Sequence, residues 1–173
     1  MASTKKNVSG TPAKSSNTTK ATALSKLCYE LEKASADLTY QSESDYPYQF
    51  FALQQRSLHE ESDKLTPLEF LGCIGLSEEL MNDLKIPIDE LIEERSLDDF
   101  FPTLEYLAES GGGLNDPDVI ALSRRYRKLE KLLKKRLQEV KIFRVGAVDV
   151  RCYIAGFFNE GNIAGLVTIS IET

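Results

Sequence analysis

Leu24, Leu27, Leu31, Ala34 and Leu38 recur at spacings of three and four, which places them on one side of a helix from about Ala23 to Asp37, with Thr22 as its cap. The next segment, Gln41 to Pro47, reads QSESDYP, polar and closed by a proline, and predicts an exposed acidic turn. Tyr48 to Leu53 is aromatic-rich and predicts a short strand. Thr66-Pro67-Leu68-Glu69 has the form of a capping box with proline at the first helical position, so a short helix should start there, turn Leu68 and Leu71 inward and end near Gly75. Ser77 can cap a second short helix through Leu84, and Ser96, with Asp99 three residues on, a third whose Phe100 and Phe101 add core bulk.

Gly111-Gly112-Gly113 reads as a break, and Asp116-Pro117 opens the longest helix, expected to reach about Glu139. Its inward stripe is Val119, Leu122, Tyr126, Leu129, Leu133 and Leu137. The period then changes. Ile142 to Val145, Val148 to Phe157 and Ile163 to Ile171 are β-branched and aromatic-rich, separated by Gly146 and by Asn159-Glu160-Gly161-Asn162, the pattern of an antiparallel meander. A strand running straight to Glu172 and Thr173 holds those two residues close to a rigid sheet.

The 173 residues suit one domain rather than two. Residues 1–22 read as a disordered basic tail, with Lys5, Lys6, Lys14 and Lys20 among small polar residues, and 23–173 as the domain. The tail lacks the apolar stretch of about 7 to 15 residues that a secretory signal needs. It also lacks the arginines and the amphipathic helix of a transit peptide. No apolar run approaches the roughly 20 residues of a membrane helix, and the expected location is the cytoplasm.

Charge is unevenly placed behind the net −6. Glu60 to Glu109 holds fifteen acids against Lys64, Lys85 and Arg95, which favours a basic partner over nucleic acid and argues against a helix-turn-helix reader there. From Arg124 to Lys141 nine bases face only Glu130 and Glu139, a run read as the solvated side of the long helix because no aromatic platform accompanies it. Cys28, Cys73 and Cys152 are odd in number and widely spaced, against a disulfide framework or a cysteine zinc site, and read as small apolar residues. His59, the one histidine, has no second histidine to make a metal site or a triad with it. The glycine triplet lacks the Lys-Ser/Thr of a phosphate loop. Glu43 and Asp45 could in principle act as acid and base, but carboxylates on a turn are more often solvated than catalytic. From the residues alone the chain is an acidic α+β domain, poorly equipped as an enzyme, without a cofactor or a metal of its own.

Three stretches together resemble the nuclease A inhibitor family, small bacterial inhibitors of sugar-nonspecific nucleases. They are Leu27-x3-Leu31-x2-Ala34-Ser35-x2-Leu38-x3-Ser42-Glu43-Ser44-Asp45-Tyr46-Pro47, then Leu97-Asp98-Asp99-Phe100-Phe101, then the segment from Tyr126-Arg127-Lys128-Leu129 to Arg144-Val145-Gly146, Tyr153-Ile154-Ala155-Gly156, Gly161-Asn162-Ile163-Ala164-Gly165 and Glu172-Thr173. The resemblance implies a three-layer α/β/α sandwich with a mainly antiparallel sheet, monomeric when free, that binds a magnesium-dependent nuclease one to one. In the family the terminal threonine reaches the partner's metal through its hydroxyl and the first glutamate of the acidic turn bonds active-site residues; the matching positions are Thr173 and Glu43. Glu172 and Asp45 flank them. The family's acid-tryptophan pair before the long helix is replaced here by a stretch in which Leu114 falls nearest the missing ring and Asp116 nearest the acid. The rival readings are an acidic adaptor that uses the Glu60 to Glu109 surface, and nucleic-acid binding through the Arg124 to Lys141 helix.

Overall fold

The computed structural model describes residues 16–40, 45–54, 64–76, 87–159 and 162–171, with side chains from residue 21 onward. The expected tail up to residue 15, the turn residues 41–44, His59, the helix expected from Ser77 to Leu84, and Glu172 with Thr173 lie outside the described residues.

The first helix, α1, spans Ser16–Ser35 and so begins before the Ala23 that the leucine spacing suggests. Thr22 therefore sits inside it rather than capping it. Once the Leu27 and Leu31 stripe is buried, adding a residue at the helix start costs little, so even serine- and threonine-rich sequence is drawn in. Ser35 closes α1 by donating its hydroxyl to the Leu31 carbonyl at 2.9 Å, and Asp37, at φ 56°, turns the chain away. The strand pair β1 (Thr39–Tyr40) and β2 (Tyr46–Pro47) follows, then β3 (Gln49–Gln54).

Helix α2 (Pro67–Cys73) carries the expected capping box: the Glu69 amide donates to the Thr66 hydroxyl, and the Glu69 carboxylate accepts from the Thr66 amide at 2.9 Å. Its end is a Schellman turn, in which Gly75, at φ +91°, lets its own amide reach the Gly72 carbonyl and that of Leu76 reach Leu71. Leu68 departs from the expectation, being 40% exposed; Phe70 and Leu71 are the buried pair, because Phe70 stacks on Phe143 with ring centroids 4.5 Å apart.

Between residues 87 and 110 the chain is more regular than its acidic composition suggests. A single helical turn, α3 (Ile88–Leu91), leads into strand β4 (Ile92–Arg95). Ser96 caps a short 3-10 turn, Leu97–Asp99, where a helix was expected. Thr103 then caps α4 (Leu104–Ser110) by accepting from the Tyr106 amide. Phe101 is buried, as expected, and Phe100 half-buried.

Helix α5 is Pro117–Arg136, capped by Asp116, and it stops short of the expected Glu139. The stripe misleads because Leu137 stays buried at the reversal itself, and Glu139, at φ 51°, belongs to a bulge in the next strand. That strand, β5 (Gln138–Val145), and β6 (Asp149–Phe157) and β7 (Asn162–Ile171) form the expected meander. The sheet has the order β3-β7-β6-β5-β4, with every neighbouring pair antiparallel.

The fold is α+β, and its sheet carries a core on each face. Ile142, Ile154 and Leu166 pack beneath α1 and α5, with Leu27, Leu31, Tyr126, Leu129 and Leu133. Phe143, Tyr153 and Ile163, one residue out of phase as strand alternation requires, pack with Phe70 and Leu71 of α2. Gly165 is required where β7 pairs with β6, because a Cβ there would overlap the Ile154 carbonyl oxygen.

Candidate functional site

The strands on either side of the acidic segment, β1 and β2, pair as a small antiparallel hairpin, with Tyr40 opposite Tyr46 and Thr39 opposite Pro47. Two residue pairs alone do not hold a hairpin in water. Two distant side chains hold this one. The buried Thr168 hydroxyl on β7 donates to the Tyr46 carbonyl at 3.1 Å, and the Tyr126 hydroxyl on α5 donates to the Thr39 carbonyl at 2.7 Å. Arg125 adds a bond to the Ala36 carbonyl just before β1. The hairpin is thereby fastened to β7, three residues before Ile171, and to the middle of α5.

Topology then gathers the other candidates at one end of the sheet. Helix α5 has 20 residues, about 30 Å, and reverses at Leu137 into β5, whose 8 residues span about 27 Å. The start of α5 therefore lies level with the end of β5, which is also where β6 begins and β7 finishes, since Asp149 pairs with Ile171. Asp45, exposed, enters β2 at this end, and Leu114 and Asp116 precede α5 here. Asp89, Glu90 and Asp149, all exposed, belong to the same end through α3 and the β5–β6 turn. Glu43, Glu172 and Thr173 lie outside the described residues.

Asp116 has a structural occupation. Its Oδ1 accepts from the amides of Asp118 at 2.8 Å and Val119 at 3.4 Å, which caps the helix. Leu114 is 54% exposed and presents an aliphatic side chain to solvent.

Behind the hairpin a polar row crosses the sheet. Arg144 stands opposite Cys152, and Cys152 opposite Thr168. The Arg144 guanidinium, 9% exposed, bonds the Glu93 carboxylate at 2.7 Å, and Arg95 bonds the same carboxylate at 2.7 Å. The Arg95 bond is the main cause that holds the Glu93 carboxyl below its usual range. Burial pushes the Cys152 thiol up, against the pull of Arg144, so it is a neutral packed group rather than a nucleophile. Burial raises Tyr40 and Tyr48 too, and both stay neutral phenols. Cys28 and Cys73 are half-buried. Among the described residues no three His, Cys, Asp or Glu side chains are grouped to hold a metal ion, and no helix is long and apolar enough to cross a membrane.

The bases of α5 occupy its outer side, with Arg124, Arg125, Arg127, Lys128, Lys131, Lys134 and Lys135 exposed. Lys134 pairs with Asp98 and Glu130, and Arg136 with Glu30 at 2.8 Å. This is a solvated helix face, part of whose charge is spent on internal ion pairs.

The family described as Nuclease A inhibitor-like protein matches residues 25–173. The chain belongs to that family. No curated protein matches the chain. The nuclease A inhibitor-like match runs from α1 to the end of the chain, through the acidic turn and the segment between residues 54 and 95, which lies outside the three stretches that carry the resemblance. Sequence reasoning missed the hairpin's fasteners. Tyr126 read as core and Thr168 as an ordinary strand residue, and no local signal pairs positions 122 residues apart. It also missed the groove of about 410 Å³ between β1 and the Phe100–Tyr106 segment; the Thr103 cap and exposed Tyr106 on α4 were the available signals.

Proposed function

We propose that this protein inhibits a magnesium-dependent, sugar-nonspecific nuclease by filling its active site, one molecule to one. The observation that carries the reading is the Thr168 bond to the Tyr46 carbonyl, because it fastens the acidic hairpin to the strand that leads to Glu172 and Thr173. That bond links two segments far apart in sequence, and family membership supplies the kind of partner. Glu43 and Thr173 are the inserted groups, with Glu172 and Asp45 beside them. The Thr173 hydroxyl is a hard oxygen donor of the kind magnesium accepts, and it reaches the partner's ion rather than one of its own. Asp89, Glu90 and Asp149 at the same end give a negative field that steers the protein toward a cleft built for phosphate. Asp116 serves the cap and Leu114 the rim. On this reading the protein is a non-enzymatic, cytoplasmic inhibitor, monomeric when free, that needs no cofactor and binds no nucleic acid directly.

The test is a titration of the intact protein into such a nuclease digesting DNA, beside a variant lacking Thr173. Inhibition that saturates at equal amounts and weakens sharply in the truncated variant is expected. Absence of inhibition by the intact protein across sugar-nonspecific nucleases would refute the reading and would turn attention to its acidic surface as a docking face for another basic protein.

A further inference from the structure

One edge of the hairpin borders a groove of about 410 Å³ whose chemistry the reading above leaves unused. Its floor is aromatic: Tyr40 lies flat on Phe100, with centroids 4.9 Å apart and planes 18° from parallel, and Phe100 meets Phe101 edge-on at 5.4 Å. Tyr106 stands at its mouth, 48% exposed. The rim is anionic. Asp99 lines the groove and is exposed. Glu105, on the adjacent helical turn, is held below the usual carboxylate range by its own backbone amide and by the Thr103 hydroxyl, so it stays charged. No lysine, arginine or histidine is among the residues that line the groove; of the cations near it, Arg95 and Arg144 are engaged by Glu93, Lys134 by Asp98 and Glu130, and Arg127 acts on Glu105 from α5.

An aromatic floor with a carboxylate rim discriminates among side chains. An aliphatic group would leave the rim unmatched, and an anion would be repelled by it. A guanidinium is planar, weakly hydrated and permanently charged, so it stacks on a ring face while its edge donates to a carboxylate. Arginine is also a frequent phosphate-binding residue at electropositive nuclease clefts, and Tyr40 immediately precedes the acidic turn. We propose that this groove receives an arginine side chain of the partner protein, packed against Tyr106 and Tyr40 and bonded to Asp99. The assignment of the partner as a nuclease rests on the inhibitor reading. The groove would then supply an aromatic–arginine anchor from a chain that has no tryptophan.

Binding of the nuclease is measured by calorimetry for the intact protein, Tyr106→Ala, Tyr106→Phe, Asp99→Asn and the variant lacking Thr173. Tyr106 and Asp99 are exposed, so these variants should melt like the parent. Tyr106→Ala is expected to weaken binding about tenfold, Asp99→Asn about threefold, and Tyr106→Phe to restore most of the loss. Unchanged affinity for Tyr106→Ala, alongside a loss on removing Thr173, would overturn the groove and leave the inhibitor reading standing. Should the intact protein bind no nuclease, the inhibitor reading falls and the groove is decided by magnetic resonance. N-acetyl-arginine amide should then shift the ring signals of Tyr40, Phe100 and Tyr106, and lose that effect in Tyr106→Ala. Equal shifts from N-acetyl-leucine amide, or none from the arginine probe, would overturn it.

Discussion

Replacing Thr168 by valine removes one hydroxyl and keeps the shape of the side chain, which makes it a sharp test of what fastens the acidic hairpin. Thr168 is 2% exposed and donates to the Tyr46 carbonyl at 3.1 Å. Loss of a neutral hydrogen bond of this kind costs about 1 kcal/mol. Tyr46 is itself 36% exposed, so water can reach part of the freed carbonyl and the cost should not rise far above that value. The hairpin has only two residue pairs of its own, so the loss should fall on its local opening rather than on the sheet. About 1 kcal/mol corresponds to roughly fivefold in that equilibrium. Hydrogen exchange at those amides that bond between β1 and β2 should therefore quicken about fivefold, while amides in β5 and β6 keep their protection. Urea unfolding should show the same slope and a midpoint lowered by no more than this increment. Tyr126→Phe, which removes the second fastener, should act in the same direction. Unchanged exchange in the hairpin of the Thr168→Val protein would refute the claim that this bond fastens it, and with it the coupling between the turn and β7.

Glu93→Gln should destabilise the protein at neutral pH by about 1 kcal/mol, the lower end for a charged hydrogen bond because Glu93 is half exposed. Its folded pKa lies below the ordinary 4.5, so the contribution is complete above that value and disappears as pH falls through the folded pKa; thermal melts of both proteins from pH 7 downward should converge only in that acid range. Gly165→Ala puts a methyl group into the Ile154 carbonyl and should cost about 3 kcal/mol or more, read by urea denaturation. Gly75→Ala, where the new Cβ meets open space and only the backbone is strained, should cost about 1 kcal/mol.

The elements that were legible in the sequence are those whose burial repeats. Leu27 and Leu31, and Val119 through Leu133, mark α1 and α5 because each helix hides one side against the same core. The meander was legible because its central strands have long runs buried on both faces and are rich in β-branched and aromatic residues. What escaped is what periodicity does not encode. Edge strand β4 shows one buried residue, Ile92, followed by three exposed charged ones, so it looks like an acidic loop. The start of α1 escaped because helix propagation, not the leucine stripe, sets it. Leu68 misled because in a helix of 7 residues the ring stack of Phe70 on Phe143 decides which side faces in.

Of the proposed site, the sequence offers the two ends, Glu43 and Thr173, which lie outside the described residues, and not what joins the segments beside them, for a physical reason. Glu43 and Thr173 stand in short stretches whose residue types are unusual enough to notice. What ties the strand pair beside the acidic segment to β7 is a contact between a strand hydroxyl and a backbone carbonyl, and a backbone carbonyl has no side-chain identity to read. The same holds for Tyr126, which contributes its ring to the core and its hydroxyl to Thr39, so its place in a leucine stripe hides its second task. The tryptophan missing from the loop before α5 looked, in sequence, like a lost anchor. In three dimensions Tyr40, Phe100 and Tyr106, drawn from β1, the bend after the 3-10 turn and α4, converge beside the acidic turn. Aromatic surface therefore still lies beside β1, assembled from three segments instead of one loop.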